Sequence, residues 1–247
     1  MAQRAARRIT VAGELTEPAV RHELRKRALG LGLRGWVQLA QDGTLALHAE
    51  GDEAALEDFV GGLEALGPVQ AGSVRREGHE QFAIRGVPAG VFVVQEHQAR
   101  AHHFDVRLEV EGVMRSWAVP RGPSMDPATK RLAVEVEDHG LAHNDFEGPT
   151  GGGGAVIIWD RGEYEQGGRV PWPEALDRGH AVFVLHGDKL QGGFALQRTR
   201  DGHKPQWLLV KRRDERARPG SEIVAERPES VHSGLTLEEM LKRSPGT

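Results

Sequence analysis

The sequence QEHQARAHHFDVR, residues 95–107, lies between the apolar runs 91–94 and 108–110 and decides how the larger part of this chain folds. Polar and apolar residues alternate on both sides of its centre, the period of β-strands with two unlike faces. Strand side chains point alternately to opposite sides, so His103, Asp105 and Arg107 share one face while Phe104, Val106 and Leu108 share the other. In the preceding strand Gln95 and His97 fall on one face with Val93. If residues 98–102 turn the chain back, the two polar rows meet across a hairpin. Two imidazoles, a carboxylate, a guanidinium and an amide then surround one pocket.

Such a group has specific chemistry. Two neutral imidazoles and a carboxylate make a three-point site for a divalent metal, with positions left for water or substrate. An adjacent arginine offers a planar fork that suits a phosphate or carboxylate. The competing reading is the solvated face of an amphipathic hairpin. A two-histidine, one-carboxylate oxygenase also fits the ligand count, but the surplus of arginines favours phosphate.

Composition sets the bounds. The 247 residues suit one large domain or two smaller ones with real cores. A net charge of −4 gives no global basic field, so any polyanion site must be local. Without cysteine there are no disulfides and no thiolate-bound zinc, which fits a reducing compartment. No apolar run approaches 18 residues and the start lacks a signal-peptide pattern, so the expected location is cytoplasmic, associated with the nucleoid, with no membrane partner.

From the start, residues 9–12 read as a strand and 17–29 as a helix, with Thr16 as N-cap, Pro18 at its first position and Gly30 ending it. Residues 35–39 and 44–50 form a hairpin around Gln41-Asp42-Gly43. A second helix spans 53–66, with Leu56, Phe59, Val60, Leu63 and Leu66 on one stripe, and a strand at 74–76 completes β-α-β-β-α-β.

The stretch LGLRGWVQLAQDGTLALHAEGDEAALEDFVGGLEALGP, residues 31–68, resembles the central half of the acylphosphatase family, within a match of about 75 residues. The resemblance implies an anion held on N–H groups before the first helix, with one Arg beside it and an Asn orienting water. Arg21 falls at the Arg position, but the loop 14–20 holds Glu14, Glu17 and Pro18, and Leu39 replaces the Asn. Two carboxylates and a residue without N–H oppose anion binding. The expectation is a kept fold and lost acyl-phosphate chemistry.

Residues 77–89 lack periodicity and read as the joint between domains. Strands are expected at 91–96, 103–110, 113–119, 131–137, 156–159, 180–185, 193–199 and 207–211, with Glu111-Gly112 as a turn. Many short, evenly spaced strands argue for a closed or nearly closed barrel. Gly151–154 is a glycine loop, and SGLTLEEM, residues 233–240, holds a capped helix starting near Thr236. The expected fold is an α+β ferredoxin-like (βαββαβ) domain, residues 1–86, followed by a mainly-β barrel domain with a C-terminal tail, residues 87–247. In the expected strand 131–139, odd positions share a face, which would aim Arg131, Glu137 and His139 together.

A second resemblance rests on VVQEHQARAHHFDVRLEVEGVMRSWAVPRGPSMDPATKRLAVEVEDH, DFEG, WDRGEYE, LHGDKLQGGFAL and PESVHSGLTLEEM. These ordered motifs, spanning about residues 92–240, resemble the 3′-phosphoesterase domain of bacterial DNA ligase D. That family is a manganese-dependent β-barrel enzyme that trims 3′-terminal ribonucleotides and removes 3′-phosphates. The resemblance implies His97, His103 and Asp105 as metal ligands, with Mn²⁺ or another divalent ion such as Zn²⁺ or Co²⁺. Gln95, Arg107, Arg121, Arg131, Glu137 and His139 match further catalytic positions, Arg121 standing where a Lys is usual and His143 where a Tyr is usual. The family's acidic N-terminal arm is not recognisable here.

The implied partners are DNA or RNA–DNA primer–template 3′ ends, with end-joining proteins such as a ligase and Ku beside them. In the implied mechanism the metal polarises the phosphoryl oxygen, Arg107 and Arg131 neutralise developing charge and a histidine protonates the leaving oxygen. The alternative is a catalytically weakened module that binds nucleic acid or a partner while keeping the barrel.

Overall fold

The computed structural model describes residues 4–13, 15–150 and 153–243. They divide into two units, one within Met1–Val87 and Gly168–Pro171, the other within Pro88–Gly167 and Trp172–Thr247. No helix among the described residues is long and apolar enough to cross a membrane.

The first unit has strands β1 (Arg4–Val11), β2 (Arg34–Leu39), β3 (Leu45–Asp52), β4 (Val69–Ser73) and β5 (Phe82–Arg85), with helices α1 (Pro18–Gly30) and α2 (Glu53–Leu63). Its sheet order is β4-β1-β3-β2-β5. All pairs are antiparallel except β2 with β5. This is the expected ferredoxin-like arrangement with one strand added. Alternation drives it: Ile9 and Val11 on β1, and Leu45, Leu47 and Ala49 on β3, pack beneath Leu24, Ala28, Leu56, Phe59 and Leu63 of the helices.

Three local expectations change. The residue at the α1 N-cap is Glu17, not Thr16, with Pro18 following as the sequence indicated. The fourth strand lies at 69–73 rather than 74–76, and the expected joint contains β5, whose Phe82 is buried with an edge-on contact to Phe59.

The second unit has β6 (Gly90–Gln98), β7 (His102–Val110), β8 (Val113–Val119), β9 (Lys130–His139), β10 (Gly148–Thr150), β11 (Gly154–Gln166), β12 (His180–Gly187), β13 (Gln191–Arg200) and β14 (Gln206–Lys211). Eight of these strands close into an antiparallel barrel in the order β6-β7-β8-β9-β14-β13-β12-β11, because β11 also pairs with β6; β10 is appended to β11. Closure leaves no free edge in the ring. The strand expected at 156–159 is much longer, 154–166, and bulged between Ile158 and Asp160. Of the glycine loop, Gly151 and Gly152 lie outside the described residues.

The barrel interior is aromatic. Phe104 meets Trp159, Trp117 meets Trp207 and Phe183 stacks on Phe194, all buried. The hairpin β7–β8 turns at Glu111 and Gly112, whose φ values of 52° and 82° are those of a primed two-residue turn. That turn fixes the register, Arg107 opposite Ser116 and Val106 opposite Trp117.

Near the C-terminus, helix α3 (Leu237–Lys242) buries Leu237 and Met240 against Ala155 and Ile157. Thr236 and Glu239 form a reciprocal capping box there, as SGLTLEEM indicated. Thr236→Ala should cost about 1 kcal/mol by loss of the cap, read as a lower denaturation midpoint at unchanged slope. An unchanged midpoint would mean that α3 adds nothing to the stability of the unit.

Candidate metal centre

Neighbouring residues in a strand ladder share a face, so the register assembles the site. His97 pairs with His103, Gln95 with Asp105 and Val93 with Arg107, while Ser116 lies opposite Arg107 on the other side. This row faces away from the aromatic interior. The adjacent histidines of the sequence part here. His102 turns to the other face and bonds Glu96 at 2.7 Å, whereas His103 joins the row.

One ligand atom from each of His97, His103 and Asp105 lies within 4.8 Å of the others. His97 Nδ1 is 3.7 Å from Asp105 Oδ2, and His103 Nε2 is 3.6 Å from Asp105 Oδ1. His103 Nδ1–H donates to the Ala101 carbonyl at 3.0 Å, leaving Nε2 with its lone pair toward Asp105. A carbonyl on one ring nitrogen is how a protein fixes the tautomer of a metal-binding histidine. Burial would raise the Asp105 pKa, but His103, Arg107 and His97 together outweigh it and hold the carboxyl below its ordinary range. Burial lowers the His97 pKa, assisted by His103, and so favours its neutral form. An ionised carboxylate with two nitrogen donors fits a divalent ion such as Mn²⁺, Zn²⁺ or Co²⁺.

Arg107 binds the cluster together. Its Nη2 donates to Asp105 Oδ2 (3.1 Å), its Nε to Gln95 Oε1 (3.1 Å), and its Nη1 to Ser116 Oγ (2.9 Å) and His139 Nδ1 (2.7 Å). Four of the five guanidinium donors are thus engaged within the protein. Gln95 spends its amide N–H groups on the carbonyls of His143 and Phe146, both at 2.9 Å, and so fastens the turn Leu141–Asp145 over the row. Arg107 and Gln95 therefore tie Asp105, Ser116, His139 and the turn Leu141–Asp145 to one another.

A guanidinium cannot accept a hydrogen bond, so His139 Nδ1 is the acceptor and the neutral ring carries its proton on Nε2. Burial and the Arg107 charge both lower the His139 pKa, in keeping with that form. The His143 ring packs edge-on against His139, with centroids 5.3 Å apart.

The expected common face of Arg131, Glu137 and His139 does not form. Arg131 lies opposite Leu209, and Ala133 and Glu135 opposite Trp207 and Trp117, so these residues belong to the inner face. Arg131 Nη2 is bonded to Glu222 Oε2 at 3.0 Å. A register shift between Met114 and Ser116 then inverts the parity of β9, and His139 arrives opposite Met114 on the outer face. Among the described residues, no side-chain hydrogen bond or ion pair joins Arg121 or Glu137 to the cluster, and both are exposed; Glu137 touches it through its backbone, which hydrogen-bonds the His139 ring. Ser116 was not singled out from the sequence, although the Glu111-Gly112 turn already placed it opposite Arg107.

Residues 95–198 match the family model described as DNA Ligase D 3′-phosphoesterase domain, and residues 7–83 match that described as Acylphosphatase. The Multifunctional non-homologous end joining protein LigD of Pseudomonas aeruginosa is 49% identical over 154 residues, covering 59% of this chain and 18% of that protein. The corresponding DNA repair protein LigD of Mycobacterium tuberculosis is 40% identical over 129 residues, covering 51% of this chain and 16% of that protein. An acylphosphatase of Thermotoga petrophila is 36% identical over 87 residues, covering 32% of this chain and 96% of that protein. The chain thus spans less than a fifth of the length of these end-joining relatives.

In the first unit Arg21 is buried and its Nη1 donates to the Thr16 carbonyl at 3.2 Å, while Leu39 packs at the edge of the apolar core. Glu14 lies outside the described residues. Benzoyl phosphate should therefore be hydrolysed no faster with the chain than in buffer. A faster rate that survives His103→Ala would assign acyl-phosphate chemistry to the first unit.

Proposed function

With a first unit that belongs to the acylphosphatase family and a second that carries the DNA ligase D 3′-phosphoesterase domain, we propose that this chain is a metal-dependent phosphoesterase acting on nucleic-acid 3′ ends in end-joining repair. The observation that carries the reading is the convergence of His97, His103 and Asp105 around one point, with Arg107 binding the carboxylate from behind. A divalent ion held there supplies Lewis acidity to a phosphoryl oxygen and lowers the pKa of a water.

The remaining work falls to side chains. Arg107 keeps Asp105 ionised and in place, and its uncommitted Nη2–H can reach an anion. His139, neutral with its proton on Nε2, donates a hydrogen bond to a phosphoryl oxygen and lacks the positive charge of a general acid. His143, exposed beside it, delivers the proton to the leaving oxygen. Arg131, bound to Glu222 on the inner face, has no part in this scheme.

The substrate class proposed is primer–template 3′ ends bearing a phosphate or a single ribonucleotide, with a ligase and Ku as companions, a reading supported by the match to a 3′-phosphoesterase domain of end-joining proteins. A primer ending in one 3′-ribonucleotide should be shortened in Mn²⁺, and a fully deoxy 3′-hydroxyl primer should be left intact. Tight binding of both primers without any product would instead make the chain a binding module.

A further inference from the structure

A second cluster of ligand-type residues lies in the first unit, on the face of the sheet turned away from its helices. On β3 the residues alternate, Leu47 and Ala49 toward the helices, His48 and Glu50 away from them. His48 and Glu50 are nonetheless buried, at 0% and 4% exposure. The chain after β4 covers them: the backbone N–H of Glu77 donates to Glu50 Oε1 at 2.6 Å, and that of Gly78 donates to both oxygens at 3.1 Å. This cover brings Glu77 and His79 onto His48, with the imidazole centroids 5.4 Å apart.

The hydrogen bonds leave a particular gap. His48 Nε2 is bonded to Glu50 Oε1 at 2.8 Å, and His79 Nε2 to Glu77 Oε2 at 2.9 Å. Carboxylates can only accept in these bonds, so each imidazole donates from Nε2. Both Nδ1 atoms are buried and have no hydrogen-bond partner. His48 Nδ1 faces Glu77 Oε1 across 4.0 Å, and one ligand atom from each of His48, Glu77 and His79 lies within 4.8 Å of the others. Arg8 Nη2 also reaches Glu77 Oε1, at 3.2 Å, leaving that oxygen a second lone pair.

Protonating both rings would put unpaired N–H groups where the unpaired lone pairs now are, so a proton does not resolve the gap. A cation does. An imidazole that donates one nitrogen to a carboxylate and turns the other inward is oriented as a metal ligand, and the Glu50–His48 pair has that form. Two nitrogens and one carboxylate oxygen suit a tetrahedral site of zinc type, whose fourth position a water can fill, with Glu77 exchanging its bond to His79 Nε2 for the ion, because one carboxylate cannot reach both sides of the same ring. A cavity of about 540 Å³ lined by Glu50 and His79 along with Arg34 and Arg76 adjoins the cluster. We propose that His48, Glu77 and His79 form a divalent-cation site of zinc type in the first unit, with Glu50 orienting His48. The ion would tie β3 to the segment that covers it, and the site is independent of the function proposed for the barrel.

The test uses the full chain carrying His103→Ala, which removes the barrel site, titrated with Zn²⁺ by calorimetry and with Co²⁺ by visible absorption. One Zn²⁺ per chain should bind, and Co²⁺ should give the intense bands of a four-coordinate ion. Adding His79→Gln or Glu77→Gln should weaken Zn²⁺ binding by at least about 100-fold, more than the loss of a merely orienting group. Zn²⁺ should also raise the melting temperature of the His103→Ala chain and leave that of the His79→Gln double variant unmoved. Glu77 reaches solvent, so Glu77→Gln gives the same readout if His79→Gln fails to fold. Absence of Zn²⁺ and Co²⁺ binding in the His103→Ala chain, or binding unchanged by Glu77→Gln, would overturn the proposal. Failure of the barrel reading shows separately, as Mn²⁺ binding by the parent that His103→Ala does not change.

Discussion

His103→Ala should reduce Mn²⁺ affinity at the barrel by at least about 100-fold, while His102→Ala, one position away, leaves it unchanged. Removing a group that only orients a ligand typically costs 10–100-fold, and His103 offers its own lone pair. His102 is a stringent control, since it has the same chemistry but turns to Glu96 on the other face. Calorimetric titration of the three proteins reads the difference, and equal affinities for His103→Ala and the parent would remove His103 from the site. Protons compete for the same nitrogens. Asp105 raises the His103 pKa while burial lowers that of His97, so as pH falls His103 should protonate first and Mn²⁺ affinity should fall with it.

Arg107→Lys should lower turnover by about tenfold or more, equivalent to at least roughly 1.4 kcal/mol of barrier. Lysine keeps the charge but is a point donor, whereas the guanidinium reaches Asp105, Gln95, Ser116 and His139 at once. Because Arg107 is 6% exposed, the change also strands buried partners and should cost stability, about 1–3 kcal/mol for an unsatisfied group. The pH profile separates positioning from folding. Arg107→Gln removes a cation that lowers the His139 pKa, so that pKa should rise and the acidic limb of kcat/KM should move to higher pH. Arg107 variants that lose stability with full activity and an unmoved profile would leave Arg107 a purely structural role.

The hairpin that makes the site was legible because period-2 alternation fixes which residues share a face, and the short connection 99–101 then sets the pairing. Once residues 98–102 reverse the chain, His97 must meet His103 and Gln95 must meet Asp105. The same reasoning carried to residues 131–139 failed because one bulge inverts the faces, and nothing in that stretch marks where β9 and β8 slip. Strand β5 was missed for a related reason. It is four residues long and exists through parallel pairing with β2, far away in sequence. The exposed β4, VQAGS, has almost no apolar alternation to read. Arg121 was singled out by resemblance, and Arg131 and Glu137 by strand parity as well; none of their side chains enters the hydrogen bonds of the cluster. His48 and Glu50 stand two apart on a strand, but Glu77 and His79 reach them only through the tertiary fold.

The most direct measurement is phosphate release from a primer–template ending in a 3′-phosphate, followed with the full chain in Mn²⁺, in chelator, and with Asp105→Asn in Mn²⁺. The parent should release phosphate in Mn²⁺ and stop on chelation, and Asp105→Asn, which loses the ligand charge but keeps its shape, should be at least about 100-fold slower. Release that persists in chelator, or that Asp105→Asn sustains at the parent rate, would contradict a metal-dependent phosphoesterase centred on His97, His103 and Asp105.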